Sequence, residues 1–593
     1  MRSFWIHPSA LLVLGALLLR FVPARLRTVF LVGVPMIVLF RVCAMQKGVY
    51  GQVDFLDWQL TFGRVDALSS LFGLVMALIT LLSTIYGLHV QEPGQHAAAW
   101  LYAAGSLGAI FAGDLLTLFV FWELMAFSSV FLIWYRRTPA ALAAGYRYLL
   151  VHVVGGGCLL AGIVLVGGET GGDFGFGAFD VKHMSLGSWL VLVGFALNAA
   201  VPPLHAWLPD AYAEGTAVGS VLMSAVTTKT AVYALCRGFV GLSVLVPLGV
   251  VMALYGVVYA VLENDSRRLL AYHVVSQVGF MVTGIGLGSE LAINGACAHA
   301  FAHIIYKGLL FMGCGAVLEM TGRSRFTELG GLWEKMPLAL VFTVIGGLSI
   351  SAFPLFSGFV SKSMVVAASY ELHRPWVAFL LMLASVGTFL HTGLKVPYFI
   401  WFGRNNCSAE TWARAKDAPW NMNLAMALAS LLCVFIGCFP SYLYRLLPFA
   451  TNFEPYTAYH VSQTLQLLLF TGAGFFVFLK KLVPEPTISL DTDWFYRRGW
   501  NLFVRVAEQY VQRLDDWLGE LYRRAGIGAV VRLASWANAF DGRVVDRLVD
   551  GLAAMIGRLG ARLRVAQRGG VQENLTLAFV VLFVLVGFAI LLL

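Results

Sequence analysis

The sequence predicts an all-α, polytopic membrane protein with about sixteen transmembrane helices. Its composition is 59% hydrophobic and 12% charged, with a mean hydropathy of +0.78, which is too apolar for a soluble protein of this length. Apolar blocks recur with short polar connections from Leu11 to about Lys480. Each block is close to the roughly twenty residues that an α-helix needs to cross a bilayer. One continuous bundle is therefore a simpler interpretation than several soluble domains.

The apolar blocks give the order of the predicted helices. They occupy residues 8–22, 28–46, 66–90, 99–113, 114–135, 143–168, 187–208, 214–238, 241–262, 268–288, 291–318, 338–370, 376–402, 422–443, 461–480 and 572–593. The odd-numbered connections carry roughly thirteen Lys and Arg residues against about six on the even ones. The sequence thus predicts a cell (inner) membrane protein whose odd connections face the cytoplasm and whose two termini lie outside it.

Two of the blocks contain helix-breaking residues. Pro202-Pro203 interrupts the block 187–208, and Pro354 followed by Gly358 interrupts the block 338–370. Such breaks free backbone carbonyls at membrane depth, which is tolerated beside a protein-lined or water-lined cavity. The second break comes five spans after the first, as expected for two inverted five-helix repeats with ion sites at the breaks. The alternative is that prolines are simply common in membrane helices.

The C-terminal part has a different pattern. From about Asp491 to Gln567, apolar residues recur at helical spacing between arginines, which is typical of an amphipathic helix that lies in the membrane interface. The predicted organisation is then 1–98 N-terminal helices, 99–238 first repeat, 239–402 second repeat, 403–484 C-terminal helices, 485–571 lateral amphipathic helix and 572–593 final transmembrane helix.

Ionisable residues inside the spans are the first candidates for function, because a charge at the bilayer centre is costly. Glu123 lies near the middle of the fifth span, and a structural salt bridge is its alternative role. Lys229 lies at the middle of the eighth span, too deep to reach the interface easily. A desolvated lysine can exchange its proton near neutrality when a neighbouring charge changes.

A run of basic residues in the eleventh span is the most specific pattern. His299, His303 and Lys307 recur every four positions and therefore share one helix face. Histidine gains and loses a proton near physiological pH, so the three side chains could form a proton relay about two turns long. A metal site is a weaker alternative, because no acid or third ligand accompanies the two histidines.

Other polar residues lie nearer to breaks or span ends. Lys362 follows the second break and would end one half of the pathway, unless it is a surface anchor. Asp114 and Lys395 stand near span ends, where an interfacial position explains them as well as transport does. His205 belongs to a loop that could be a gate or only a turn. The eight cysteines show no CxxC pair, so no iron–sulfur or zinc site is predicted. No catalytic residue, other cofactor or other metal site is predicted either.

Together these motifs resemble the proton-conducting antiporter-like family of membrane subunits. That family includes antiporter-like subunits of respiratory complex I, Mrp-type sodium/proton antiporter subunits A and D, and membrane-bound hydrogenase equivalents. The resemblance covers roughly residues 60–450. Its motifs are Phe121-Trp122-Glu123, His205-Ala206-Trp207-Leu208-Pro209-Asp210-Ala211, Asp265-Ser266-Arg267-Arg268-Leu269-Leu270-Ala271-Tyr272 with Ser276-Gln277-Val278-Gly279, and the His299, His303 and Lys307 run.

The resemblance implies fourteen core helices, two inverted repeats and a central hydrophilic axis. It gives proton-pathway roles to six residues: Glu123, Lys229, His299, His303, Lys307 and Lys362. The sequence departs from the family at Asn198, seven residues before His205, where a lysine that pairs with the glutamate is usual. Asparagine can hydrogen-bond a carboxylate or water but carries no switchable charge. Asn198, His205, Asp114 and Lys395 are therefore treated as possible modulators.

The leading hypothesis is a proton-translocating subunit of a multisubunit monovalent cation/proton antiporter. The expected partners are other membrane subunits, protons, sodium and the lipid bilayer, with no nucleic acid. The same module could instead serve a complex I-like quinone- or hydrogenase-linked respiratory complex, or a proton-driven inorganic-carbon uptake system. A scaffold that has lost conduction is the non-transport alternative, and Asn198 is the residue that motivates it.

Overall fold

The computed structural model describes residues 5–56, 58–486, 490–566 and 569–592. These residues form two compact units, Met1–Asp493 and Trp494–Leu593, and are helical apart from one two-stranded sheet. Eleven helices in the described part are long and apolar enough to cross a membrane, and three shorter apolar helices accompany them. Each of the sixteen predicted blocks contains a helix. The polytopic all-α fold is thus confirmed, while the number of sixteen spans stays a prediction.

The chain begins with three helices and a hairpin. The helices are α1 (Pro8–Leu18), α2 (Ala24–Cys43) and α3 (Ala67–Tyr86). Strands β1 (Gly48–Phe55) and β2 (Trp58–Val65) pair antiparallel between α2 and α3, with Gly48 opposite Val65. The sequence analysis left these residues unassigned.

The next group of helices contains the first predicted break. Its members are α4 (Pro93–Phe111), α5 (Leu115–Trp134), α6 (Pro139–Glu169), α7 (Leu186–Asn198), α8 (Trp207–Glu214), α9 (Ala217–Ala225) and α10 (Thr227–Gly238). Eight residues that include Pro202 and Pro203 separate α7 from α8. A second interruption at Val226 separates α9 from α10. The first of these breaks agrees with the prediction from the proline pair.

The following group contains the second predicted break. It consists of α11 (Leu245–Leu262), α12 (Ser266–Leu287), α13 (Glu290–Thr321), α14 (Pro337–Ile350), α15 (Ser357–Glu371) and α16 (Pro375–Thr388), which continues as the π-helical segments Phe389–Lys395 and Tyr398–Phe402. The break between α14 and α15 contains Pro354. Four further helices follow in the first unit: α17 (Ala409–Arg414), α18 (Trp420–Cys438), α19 (Pro440–Tyr444) and α20 (Ala458–Val477).

Helix α13 is the centre of the bundle. It packs against α3, α9, α12, α14, α15 and α18, and 94% of its most apolar window is buried. Small residues let the neighbouring helices approach closely. A Cβ atom at Gly256 of α11, for example, would lie 2.6 Å from the carbonyl oxygen of Tyr272 in α12. Close approach at small residues is the usual way in which membrane helices associate.

The second unit is a long helical run followed by an apolar helix. The run consists of α21 (Asp493–Val506), α22 (Gln512–Leu521), α23 (Gly528–Phe540) and α24 (Asp546–Ala566), joined by π-helical turns. Helix α25 (Val571–Leu592) forms the last predicted span. Residues 487–489 and 567–568 of the predicted segment 485–571, and Leu593 of the final span, lie outside the described residues.

Candidate functional site

Three basic side chains lie along one face of α13, as their spacing predicts. His299, His303 and Lys307 are completely buried, and the two imidazole rings have centroids 6.1 Å apart. Both ring nitrogens of His303 are buried without a hydrogen-bond partner in the described chain. A buried polar atom without a partner is costly, so water molecules are expected to bridge these side chains.

Toward α15, this row of side chains reaches Lys362. The hydroxyl of Ser361 lies 3.1 Å from His299 Nδ1. Lys362 Nζ donates to the carbonyl oxygen of Ile350 at 2.8 Å, a group that is free because α14 ends there. The same ammonium lies 5.2 Å from the ring centroid of Phe280. The helix break therefore supplies the acceptor that holds Lys362 inside the bundle.

Lys362 also lines a cavity of about 80 Å³. Its polar lining comes from the C-terminal end of α15, from α16 and from the beginning of α20, and includes Tyr370, Ser385, Tyr459, His460 and Gln463. The Lys362 ammonium thus lies at the inner end of a cavity between three helices.

In the opposite direction, Lys307 contacts a second pair of histidines. Its Nζ atom lies 3.3 Å from His273 Nδ1 on α12, and His273 Nε2 lies 3.1 Å from the hydroxyl of Thr388. The rings of His273 and His391 have centroids 4.7 Å apart. Sequence reasoning missed both histidines. For His391 there was a usable signal, because it stands four residues before Lys395 and hence on the same helix face.

Lys395 ends this row of basic residues. Its ammonium donates to the carbonyl oxygens of Val261 at 2.6 Å and Glu263 at 2.7 Å, where α11 ends. The C-terminal carbonyls of a helix carry partial negative charge and favour a cation. Beside Glu263 is a polar pocket of about 280 Å³, which we call the acidic pocket, lined mainly by Asp210, Glu214, Glu263, Asp265, Arg268 and Arg325.

Lys229 is completely buried at the interruption between α9 and α10. Its Nζ donates to the carbonyl oxygen of Ser224 at 2.6 Å and to the hydroxyl of Thr228 at 3.0 Å. Two hydrogen bonds between side chains tie the following turn to α4: Tyr102 to Thr227 at 2.6 Å, and Ser106 to Thr230 at 2.7 Å. An interrupted helix again supplies the acceptor for a buried ammonium.

Glu123 and Asn198 are not joined by a hydrogen bond. Glu123 is half-buried on α5 against Gly156 of α6. Its Oε1 atom and the Nδ2 atom of Asn198 are both buried, and neither has a hydrogen-bond partner within residues 5–486 or the other described ranges. Asn198 is the last residue of α7.

The remaining predicted residues have well-defined contacts. Asp114 caps the N-terminus of α5 by accepting from the backbone N–H of Thr117 at 2.7 Å, and it accepts from the N–H of Thr61 in β2 at 2.6 Å. This carboxylate therefore fixes a helix end to the hairpin. His205 lies between α7 and α8, and its Nε2 is 3.3 Å from Asp491 Oδ2. Asp491 was not singled out from the sequence, because it stands at the edge of a polar segment.

Comparisons with known proteins show the family to which the chain belongs. The profile of the family described as NADH:quinone oxidoreductase/Mrp antiporter, TM, matches residues 112–390. An uncharacterized protein of Methanocaldococcus jannaschii is 32% identical over 359 residues, which cover 57% of this chain and 74% of that protein. The chain belongs to the proton-conducting antiporter-like family of membrane subunits. The matched region contains every predicted pathway residue, whereas His391, Lys395 and Asp491 lie beyond it.

Two further proteins are similar to the chain. Hydrogenase-4 component B of Escherichia coli is 29% identical over 438 residues, which cover 66% of this chain and 64% of that protein. A chain of the Mrp complex from a Dietzia species has the same fold, with a TM-score of 0.66 at 23% identity, over 78% of this chain and 98% of that one.

Proposed function

We propose that this family member is the proton-translocating subunit of a multisubunit monovalent cation/proton antiporter. The observation that carries the proposal is the row of buried basic side chains between the acidic pocket and the cavity at Lys362. In order, it contains Lys395, His391, His273, Lys307, His303, His299 and Lys362. Their contacts are with carbonyl oxygens, hydroxyls and other rings, so water between neighbours can complete a chain for proton transfer.

The two ends of this row open toward opposite ends of the helices. Met382 and Ser385 line the cavity at Lys362, whereas Lys395 on the continuation of the same helix lies beside Glu263. Thirteen residues of helix between Met382 and Lys395 correspond to about 20 Å. Backbone hydrogen bonds from Ser266 to Ser324 and from Asn406 to Leu329 place the connections before α12, after α13 and after α16 at the end where the acidic pocket lies.

We assign that end to the cytoplasm because the odd-numbered connections carry more Lys and Arg. Protons then pass between the cytoplasmic acidic pocket and the external cavity through the second half of the bundle. In the first half of the bundle, Asn198 stands where the family usually has a lysine. Glu123 and Lys229 transfer protons there without that lysine. Movement of sodium or another monovalent cation is assigned to the assembled complex, in which other membrane subunits are the partners.

A complex I-like or hydrogenase-linked complex is the second candidate. The similarity to hydrogenase-4 component B and the family's description favour it. In that case the same row of basic residues would transfer protons, but a redox reaction in partner subunits would drive them. The two candidates differ in what energises transport.

The test uses the assembled complex in inverted membrane vesicles that contain a pH-sensitive dye. We expect the Lys307→Ala variant to lose sodium-dependent proton movement, because Lys307 joins His303 to His273. The matched control is Lys416→Ala, which removes an exposed lysine and should leave transport unchanged. Normal transport by assembled Lys307→Ala complex would refute the pathway. Proton movement that needs a quinone or hydrogen donor rather than a sodium gradient would support the second candidate instead.

A further inference from the structure

An acidic side chain from the segment before α21 is buried inside the bundle. The Asp491 carboxylate is completely excluded from solvent and accepts hydrogen bonds from the hydroxyls of Tyr255 and Tyr272, the latter at 2.6 Å. His205 Nε2 lies 3.3 Å from the same carboxylate, at the distance of an ion pair. Both ring nitrogens of His205 are buried, and neither makes a hydrogen bond within the ranges that the structure describes.

These contacts join the two halves of the bundle. His205 belongs to the break between α7 and α8, whereas Tyr255 is on α11 and Tyr272 is on α12. Asp491 therefore links the interrupted helix of the first half, where Asn198 replaces a lysine, to two helices of the second half. The Asp491 carboxylate therefore contacts side chains from both halves of the bundle.

The cluster also adjoins the acidic pocket. The guanidinium of Arg268 lies 5.9 Å from the ring centroid of Tyr272 and 3.2 Å from the carboxylate of Glu263. Tyr259 stacks on both Tyr255 and Tyr272. The titratable and charged groups that face Asp491 are thus His205, Tyr255 and Tyr272, followed by Tyr259, Arg268 and Glu263.

Anchoring of the segment does not require the Asp491 charge. The hydroxyl of Tyr259 donates to the carbonyl oxygen of Leu490 at 2.9 Å, and the hydroxyl of Thr492 reaches the carbonyl oxygen of Pro203 at 3.5 Å. A buried carboxylate is costly unless it is paired. Burial alone would raise the pKa of Asp491, but its interactions with His205, Tyr255 and Tyr272 outweigh burial and hold that pKa below its usual value. The carboxylate is thereby kept charged beside the imidazole.

We propose that Asp491 and His205 form a proton-holding pair at the junction of the two halves. We assign the N–H group of His205 to Nε2, which lies 3.3 Å from the carboxylate, and this leaves the lone pair of Nδ1 to take a proton from a neighbouring water. The same atom later returns the proton to water toward the second half. Asp491 is a positioning residue, because its carboxylate stands beside Nε2 and fixes the orientation and tautomer of the imidazole. This inference rests on the proposed proton transport.

The experiment measures the pH dependence of proton transport by the assembled complex in vesicles. Asp491→Asn removes the negative charge beside the imidazole, so the pH of half-maximal transport should move to lower pH. Asp491→Glu keeps the charge and should retain most of the normal profile. In a His205→Gln background, Asp491→Asn should produce no further shift, because it acts through the imidazole.

Two controls separate this role from anchoring and from a general charge effect. Tyr259→Phe removes an anchoring hydrogen bond but no charge, and Asp180→Asn removes the exposed carboxylate of the Asp180–His183 pair, whose atoms are 3.0 Å apart. Neither should shift the profile. An unshifted profile in Asp491→Asn, or an equal shift in Tyr259→Phe, would overturn the proposal.

Assembly and the underlying transport are tested separately. If Asp491→Asn does not assemble, the His205→Gln variant tests the proposal instead. A normal pH profile in that variant would also overturn the proton-holding role of the pair. Transport that survives Lys307→Ala refutes the proposed pathway itself. Transport that depends on Lys307 but not on the charge of Asp491 refutes only the proton-holding pair.

Discussion

At the scale of single residues, His273 shows that the proposed proton pathway contains a member that no local pattern marks. It lies in the middle of α12, beyond Arg267 and Arg268, and a lone buried histidine is more often a satisfied core residue. Its importance comes from its neighbours: Lys307 Nζ at 3.3 Å, the Thr388 hydroxyl at 3.1 Å and the ring of His391. These residues are far apart in sequence, so only the fold brings them together.

We expect His273→Gln to lower proton transport roughly 10- to 100-fold, because glutamine fills similar space but cannot take up and release a proton. The measurement is the initial rate of dye response in vesicles that hold equal amounts of assembled complex. His183→Gln, at an exposed histidine, is the control and should transport at the normal rate. Normal transport by His273→Gln would remove α12 from the pathway and leave Lys307 without a continuation toward Lys395.

Helical periodicity predicted positions within one helix, but it did not predict the contacts of these residues with other helices. The common face of His299, His303 and Lys307 follows from helical periodicity alone and is present in the structure. Contacts between helices are not encoded in that way. The link from Lys307 to Lys395 through His273 and His391, and the partner of His205 at Asp491, required tertiary structure. Asp114 is a helix cap that also holds the hairpin, a role that its place after a glycine near a span end did not reveal.

At the scale of elements, the interruptions of helices position the charged groups. Pro202-Pro203 and Pro354 predicted two breaks, because proline removes a hydrogen-bond donor and clashes with the preceding turn. No proline or glycine stands at the interruption at Val226, and no sequence pattern predicted the π-helical segments after α16. Yet these elements hold Lys229 and Lys395. Each of the lysines at 229, 362 and 395 donates to a backbone carbonyl near a helix end.

The second break gives an element-scale prediction. A Cβ atom at Gly358 would overlap the carbonyl oxygen of Ser349 in α14, and a backbone atom cannot move aside cheaply. Gly358→Ala should therefore destabilise the packing of α14 against α15 by about 1–3 kcal/mol and displace Lys362 from Ile350. Thermal unfolding of the purified complex in detergent, together with the transport rate, measures both effects.

The control for this substitution is Gly474→Ala in α20, where an added Cβ would meet no atom within 4 Å. That variant should unfold and transport normally. If Gly358→Ala behaves like this control, the close packing at the break does not fix the position of Lys362.

At the scale of the whole molecule, hydropathy was sufficient to predict the membrane bundle, since every apolar block contains a helix. Hydropathy does not decide the number of spans, because broken helices such as α7 and α14 are too short to cross alone and borderline helices depend on their neighbours. It also gave no sign of the hairpin β1–β2, in which β1 is largely exposed and β2 is mostly half-buried. The orientation in the membrane rests on the distribution of Lys and Arg between connections.

Natural cysteines provide a test of that orientation. Cys43 and Cys438 are the last residues of α2 and α18, at the C-terminal ends of the second and fourteenth predicted spans, and both side chains are exposed. Cys407 lies in the connection after the thirteenth span, where the backbone N–H of Asn406 donates to the carbonyl oxygen of Leu329. With odd connections in the cytoplasm, a membrane-impermeant maleimide should label Cys43 and Cys438 in right-side-out vesicles. It should label Cys407 only in inverted vesicles.

Each cysteine is restored singly to a cysteine-free variant that retains transport, and labelling after detergent treatment serves as the accessibility control. Labelling of Cys407 from the outside would reverse the assignment of the acidic pocket to the cytoplasm, and with it the direction in which protons enter the row of basic residues.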